Sequence, residues 1–141
     1  MSTRCHMLAM YVVLESYLGM ACDYPAAYEG QPGFEFIKQV PVVWDKTKVL
    51  DAMVGQYIVI ARKKNDDWYI GGITNHSSRE LVIPLNFLDA GNYEAEIYTD
   101  AMDANINPNN LIKEIKSITN TDSITVQLAG SGGVAIAIKK K

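Results

Sequence analysis

Short segments that are rich in β-branched and aromatic residues dominate the chain after residue 45. Several alternate between apolar and polar positions, and turn residues such as Asn65-Asp66 and Gly130 to Gly132 separate them. Eight such segments at this spacing are typical of an antiparallel β-sandwich. The predicted strands are 48–54, 57–64, 68–74, 80–85, 93–99, 112–118, 123–128 and 133–139.

The N-terminal part of the chain follows a different pattern. Residues 5–22 are apolar at almost every position, and Ser2 or Thr3 is a suitable N-cap, so this stretch predicts a helix. Its apolar side chains point in every direction around the axis, which requires cover on most sides. It is either an ordinary core helix or a helix separated from its neighbours in a larger protein. A second short helix is predicted over 34–39.

The charge balance changes between these two parts. Residues 1–45 carry two basic and five acidic groups, whereas residues 46–141 carry eleven of each. We therefore expect a helical segment over 1–45 and a β-sandwich over 46–141. The whole is a mainly β fold, an eight-stranded antiparallel β-sandwich preceded by an N-terminal helical segment.

The strand around Asp66 to Asn75 contains two adjacent glycines, Gly71 and Gly72. Glycines weaken a strand unless another backbone approaches closely, so something is expected to pack tightly there. Trp68 and Tyr69 precede them and point to opposite faces, one inward and one outward. An exposed ring could stack on a sugar, although core packing is the commoner role.

Composition excludes several classes of function. The chain has 141 residues, 48% of them hydrophobic, with a net charge of −3 and no stripe of Lys and Arg, so we expect no nucleic-acid partner. The N-terminal apolar run is interrupted by Glu15 and Ser16, which predicts neither a signal peptide nor a membrane span. Cys5 and Cys22 would lie roughly 25 Å apart on one helix, too far to form a disulfide.

Candidate chemistry is sparse. Glu94 and Glu96 share one face of a strand about 7 Å apart, a separation found in glycosidase carboxylate pairs, but alternate solvent-facing glutamates are the simpler interpretation. His6 and His76 have no partner at metal-ligand spacing. No catalytic and no metal-binding residue is predicted.

One loop has part of a calcium-binding spacing. Asp103, Asn105, Asn107 and Glu114 occupy positions one, three, five and twelve of such a loop. Pro108 stands where the sharp glycine turn belongs, and no flanking helices are predicted. An Asn-rich surface turn is therefore the preferred interpretation.

Longer runs carry a family resemblance. The runs are TRCHMLAMYVVLES, ACDYPAAYE, WYIGGITN, LNFLDAGNYEAEIYTDA and GGVAIAI. Together they resemble the C-terminal end of glycoside hydrolase family 97, which contains α-glucosidases and α-galactosidases. The resemblance implies an N-terminal β-sandwich, a (β/α)₈ barrel with calcium and catalytic carboxylates, and a C-terminal β-sandwich. Residues 1–45 would be the last barrel helix and its exit, and 46–141 the C-terminal sandwich.

The resemblance also implies what the chain does. No position matches the catalytic or calcium-binding motifs, so the expected role is a non-catalytic accessory or oligomerisation domain of an α-glycosidase. Calcium is expected only in the barrel, and the location is periplasmic or exported. Thr3, Arg4 and His6 would sit near a barrel rim or simply cap the helix.

Two partner hypotheses follow. We expect self-association, or contact with the barrel, through the N-terminal helix, because one sandwich cannot cover all of its apolar residues. A dimer through this helix predicts that Val12→Glu yields a monomer. The alternative is a carbohydrate-binding module that uses exposed aromatics, with Trp68 and Tyr69 as candidates.

Overall fold

The computed structural model describes residues 1–19 and 22–141. Within them, two α-helices precede eight strands, and a single 3₁₀ turn, Pro25–Ala27, lies between the helices. The helices are α1 (Arg4–Val13) and α2 (Phe34–Gln39). The strands are β1 (Lys46–Met53), β2 (Tyr57–Lys64), β3 (Asp67–Thr74), β4 (Arg79–Pro84), β5 (Asn92–Asp100), β6 (Leu111–Thr119), β7 (Ser123–Leu128) and β8 (Gly133–Lys140).

The strands form two antiparallel sheets. The large sheet has the order β1-β2-β3-β8-β5-β6, and the small sheet pairs β4 with β7. Alternate residues of both sheets point into the space between them, as the period of two requires. This arrangement confirms the predicted mainly β sandwich. The core between the sheets includes Val59, Trp68, Ile70, Ile83, Leu85, Tyr93, Ile97, Ile124, Val126 and Ile136.

Helix α1 lies on the other face of the large sheet, over β3 and β8. A Cβ at Gly71 would be 2.7 Å from the carbonyl oxygen of Ala9 and 2.9 Å from the Cβ of Val12. A Cβ at Gly72 would be 2.8 Å from Cγ1 of Val134. The close approach predicted from the glycine pair is confirmed, and at Gly71 the approaching element is the N-terminal helix.

Helix α1 is shorter than predicted. It ends at Val13, and the next residue, Leu14, is extended. The buried guanidinium of Arg62 donates from Nε to the Val12 carbonyl at 2.6 Å and from Nη2 to the Val13 carbonyl at 3.3 Å. A cation at these carbonyls also suits the negative end of the helix dipole. The prediction that the helix continues to residue 22 was therefore wrong, and the 25 Å separation of the two cysteines, which assumed that helix, loses its basis.

The sandwich itself covers one side of α1. Cys5, Leu8 and Val12 are buried in a second core with Tyr69 and Tyr98 of the large sheet. Val12 is completely inaccessible within its own chain. The expectation that Val12 lies in a contact between copies was wrong, because the helix folds back onto the sheet.

Helix α2 has the predicted bounds. It begins after Gly33, whose φ of +87° favours glycine, and its Phe36 is buried. Phe36 makes edge-on contacts with Tyr69 and Tyr98 at ring-centroid distances of 6.5 and 5.6 Å. Both helices therefore cover the same aromatic region of the large sheet.

The two cysteines differ in accessibility. Both are free, with Cys5 buried and Cys22 exposed. Burial, reinforced by the neighbouring Asp100 carboxylate, raises the pKa of the Cys5 thiol. We expect Ellman's reagent at pH 8 to modify Cys22 at once and Cys5 at least about 100-fold more slowly, since Cys5 requires local opening of the core. Absorbance at 412 nm follows both phases.

The variant Cys22→Ser should lose the fast phase and keep the slow one. After unfolding in guanidinium chloride both thiols of the parent chain should react in one phase. Equal rates for the two thiols in the native chain would contradict the burial of Cys5 between α1 and the large sheet.

Candidate interaction surface

The aromatic candidates for sugar binding are both buried. Trp68 is 4% exposed and contacts Phe87 inside the sandwich, with ring centroids 4.8 Å apart. Tyr69 is 5% exposed and lies against Trp44, with centroids 5.5 Å apart. The two rings do point to opposite faces, but the expectation that one is exposed was wrong, because the helical segment covers the second face. Neither ring offers a free face to a sugar.

The glutamates Glu94 and Glu96 are engaged by neighbouring side chains. Glu94 pairs with Lys141 at 3.0 Å. Glu96 pairs with Lys113 and accepts hydrogen bonds from Gln39 at 2.7 Å and from the Tyr98 hydroxyl at 2.9 Å. Burial alone would raise the pKa of Glu96, but these hydrogen bonds outweigh it and lower the pKa. A glycosidase general acid needs the opposite shift, so this arrangement disfavours a catalytic role for the pair.

The calcium-like spacing does not produce a cluster of ligands. The Asp103 carboxylate accepts hydrogen bonds from the amides of Asn107 and Asn110 at 2.8 and 2.9 Å. Asn105 instead accepts from the Gly130 amide at 3.2 Å, and Glu114 pairs with Lys116 on β6. Across residues 1–19 and 22–141, no group of three or more His, Cys, Asp and Glu side chains could hold a metal ion.

The N-terminal polar residues hold α1 in place. Thr3 caps the helix, with its hydroxyl accepting from the His6 amide at 3.1 Å. The His6 ring Nδ1 lies 3.1 Å from the Gly132 carbonyl. Arg4 donates to the Pro32 carbonyl at 3.3 Å. These contacts agree with the helix-capping role, which was the alternative to a position at the substrate rim. His76 is exposed on a loop that is distant from this segment in sequence.

Sequence reasoning missed the buried carboxylate of Asp100. Its Oδ2 accepts hydrogen bonds from the backbone amides of Ala129 and Gly133, both at 3.0 Å. A Cβ at Gly132 would lie 1.9 Å from this oxygen. Asp100 thereby fixes the glycine-rich turn before β8, a role that the lone aspartate at the end of a strand does not reveal.

Among the residues that the structure describes, two of the exposed apolar surfaces lie beside α1 and on the large sheet. The first, the helix groove, runs along the outward side of α1 to the segment before β1. Met7, Leu14 and Leu18 are among its exposed residues. No helix among the described residues is long and apolar enough to cross a membrane. The groove is lined by Met7, Met10, Tyr11, Leu14, Leu18 and Val42, among others.

The second surface, the β1–β3 patch, is the part of the large sheet's outer face that the helices leave open. In the strand register Ala52 lies beside Ile58, and Ile58 lies beside Ile73. Val49 lies beside Ile60, the next outward-facing residue of β2. Ile60 pairs with Gly71, which faces α1, and so fixes this row on the helix side of the sheet. The patch is formed by Val49, Ala52, Ile58 and Ile73.

The β1–β2 hairpin borders this patch. Val54 stands at its tip, next to Gly55 with φ of +75°, and is fully exposed. Val54 lines one side of a shallow, mainly apolar hollow, whose other lining residues include Ala52, Ile58 and Ile73. A single exposed valine is ordinary on a protein surface, and Val54 is of interest here because it borders an apolar patch.

A family model matches residues 43–139, and its description is "Glycosyl-hydrolase 97 C-terminal, oligomerisation". The chain belongs to glycoside hydrolase family 97. Within that family it is the C-terminal, oligomerisation domain. The resemblance noted from the sequence and the predicted non-catalytic accessory role are thereby confirmed.

Similar family 97 proteins extend the comparison to the helical segment. A retaining α-galactosidase of Bacteroides thetaiotaomicron is 41% identical over 97% of this chain and 21% of its own length. A probable retaining α-galactosidase of Streptomyces bingchenggensis is 27% identical over 91% of the chain and 19% of its own. A family 97 enzyme of Pseudoalteromonas sp. strain K8, solved with acarbose, superimposes with a TM-score of 0.94 at 41% identity, over 99% of this chain and 23% of its own.

This family 97 chain therefore spans about a fifth of the length of its curated relatives. The structural match includes the helices that precede the family model's first residue. The packing of α1 on the sandwich is thus shared with a solved family 97 enzyme.

Proposed function

We propose that this chain is the C-terminal domain of an α-galactoside-hydrolysing enzyme and that it joins copies of that enzyme. The match to the family's C-terminal oligomerisation domain carries the proposal. Two relatives that are named as α-galactosidases support the substrate class. Hydrolysis would reside in the rest of the enzyme, since Glu94 and Glu96, the carboxylates with a glycosidase-like spacing, are engaged in ion pairs.

The helix groove is the surface proposed to face the catalytic barrel. The inner side of α1 is occupied by the domain's own sheet, so only the outward side is free for another domain. That side is apolar, and Leu14 and Leu18 are exposed there. Interfaces between domains of one chain need such an apolar surface when the domains stay together. The groove therefore suits an intramolecular neighbour.

Light scattering on a dilution series of this chain tests the oligomerisation proposal. We expect the mass of a dimer at micromolar concentrations, because the family model describes this region as an oligomerisation domain. We expect the variant Leu14→Glu/Leu18→Glu to keep that mass, since the groove is assigned to the barrel. No hydrolysis of aryl α-galactosides by the chain alone is expected.

Each part of the proposal has its own contrary result. A monomer at every concentration would refute self-association. A monomeric Leu14→Glu/Leu18→Glu variant would instead reassign the groove to the contact between copies. Turnover by the chain alone would contradict the placement of catalysis outside this domain.

A further inference from the structure

We infer that the β1–β3 patch, together with the Val54 tip, is the surface through which a second copy of this chain binds. This inference rests on the proposed self-association and names its surface. The family description identifies the class of partner as another copy, whereas the geometry selects the face.

The outer face of the large sheet has two open ends with opposite character. At the β5–β6 end, Glu94 and Glu96 are paired with lysines, and Ile115 lies beside Glu96 in the strand register. At the β1–β3 end, the four patch residues and Ile60 carry no charge. Desolvating ion pairs is costly, whereas desolvating an apolar row is favourable. A second copy therefore gains most at the β1–β3 end.

The absence of charge on the patch is compatible with contact between identical surfaces. In a two-fold dimer the same patch meets itself, so any net charge on it would face a like charge. The chain as a whole carries a net charge of −3. An uncharged patch adds no local repulsion to the overall repulsion between two such chains.

The shape of the patch is suited to this self-contact. Val54 projects from the hairpin tip at one side of the hollow that Ala52, Ile58 and Ile73 also line. In a two-fold arrangement Val54 of each copy enters the hollow of the other. Such an apolar anchor in a pocket is the common form of an interface hot spot.

The edge of the large sheet is less suited to pairing with another copy. Strand β1 is the edge strand at this end of the sheet, but its register shifts between Val49 and Asp51, which interrupts the row of hydrogen-bonding groups. Lys46 and Lys48 flank this edge. Bulges and lysines protect edge strands from strand addition, so the face of the sheet, not its edge, makes the contact.

Matched double variants test this assignment. Val49 is 60% exposed and Ile115 is 63% exposed on the same face of the same sheet. Val54 and Ile106 are both strongly exposed on loops. We expect Val49→Lys/Val54→Lys to weaken dimerisation about 30-fold or more, as for loss of an interface hot spot. The control Ile106→Lys/Ile115→Lys should dimerise as the parent chain does.

Light scattering gives the dissociation constants, and circular dichroism checks that each variant is folded. The patch assignment is wrong if Val49→Lys/Val54→Lys still dimerises as the parent does, or if Ile106→Lys/Ile115→Lys does not. Self-association stands in either case. A monomeric parent chain overturns self-association itself.

Hydrogen exchange tests the same assignment on the parent chain, without any substitution. Protection of residues 46–58 should rise with protein concentration. Constant protection of these residues in a dimer overturns the assignment.

Discussion

The variant Gly71→Ala should lose about 3 kcal/mol of unfolding free energy, or about 10 °C in melting temperature. The added methyl group would lie 2.7 Å from the Ala9 carbonyl oxygen and 3.1 Å from Cγ2 of Val13. A backbone oxygen cannot rotate away as a side chain can, so α1 has to lift from the sheet. Denaturant unfolding followed by far-ultraviolet circular dichroism measures the loss.

The control for this variant is Gly19→Ala. The nearest atoms to a Cβ at Gly19 are 3.9 Å away, an ordinary contact. We expect that change to stay within about 0.5 kcal/mol of the parent. In Gly71→Ala the Cys5 thiol should also react faster with Ellman's reagent, because lifting α1 uncovers it. Equal stabilities for the two alanine variants would contradict the close packing of α1 on β3.

The second large effect is expected for Val12→Glu, at about 4 kcal/mol of unfolding free energy. Val12 is fully buried between α1 and the large sheet, so an introduced carboxyl group would lose its hydration. The matched variant Leu14→Glu places the same group at an exposed position of the same helix end and should cost less than about 1 kcal/mol. Guanidinium unfolding of both variants supplies the comparison.

The pH dependence of this loss identifies its cause. Burial would raise the pKa of the introduced carboxyl above its unfolded value of about 4.3. Between these two pKa values the folded state binds more protons than the unfolded state, so stability falls as pH rises. The loss should therefore be smaller at pH 4 than at pH 7, whereas Val12→Gln should show no such change. A stable but monomeric Val12→Glu chain would contradict this account and return Val12 to a contact between copies.

Most of the β-structure follows from local pattern. The bounds of Tyr57–Lys64 and Ser123–Leu128 agree with the prediction, and the other strands agree within two residues. These segments combine β-branched residues with turn residues at both ends, so local preference and tertiary context act in the same direction. The adjacent glycines likewise predicted a close approach, since few other arrangements require them inside a strand.

The N-terminal segment shows where local pattern fails. Its apolar run continues past Val13, but the helix does not, and Arg62, 49 residues away from Val13, binds its last carbonyls. No local signal in the run announces that distant contact. The same limit applies to Asp100, which is an ordinary strand-end aspartate until the turn before β8 folds over it.

The sequence by itself determined the fold class, the strand positions, the need for close packing at Gly71 and the family. Each depends on neighbouring residues or on an ordered series of residue types, which can be read along the chain. The tertiary structure alone decided that Val12, Trp68 and Tyr69 are all buried and that the β1–β3 patch is open. Burial depends on which distant segment covers a face: the helical segment and the large sheet bury Val12 and Tyr69 between them, whereas Trp68 is covered inside the sandwich by Phe87.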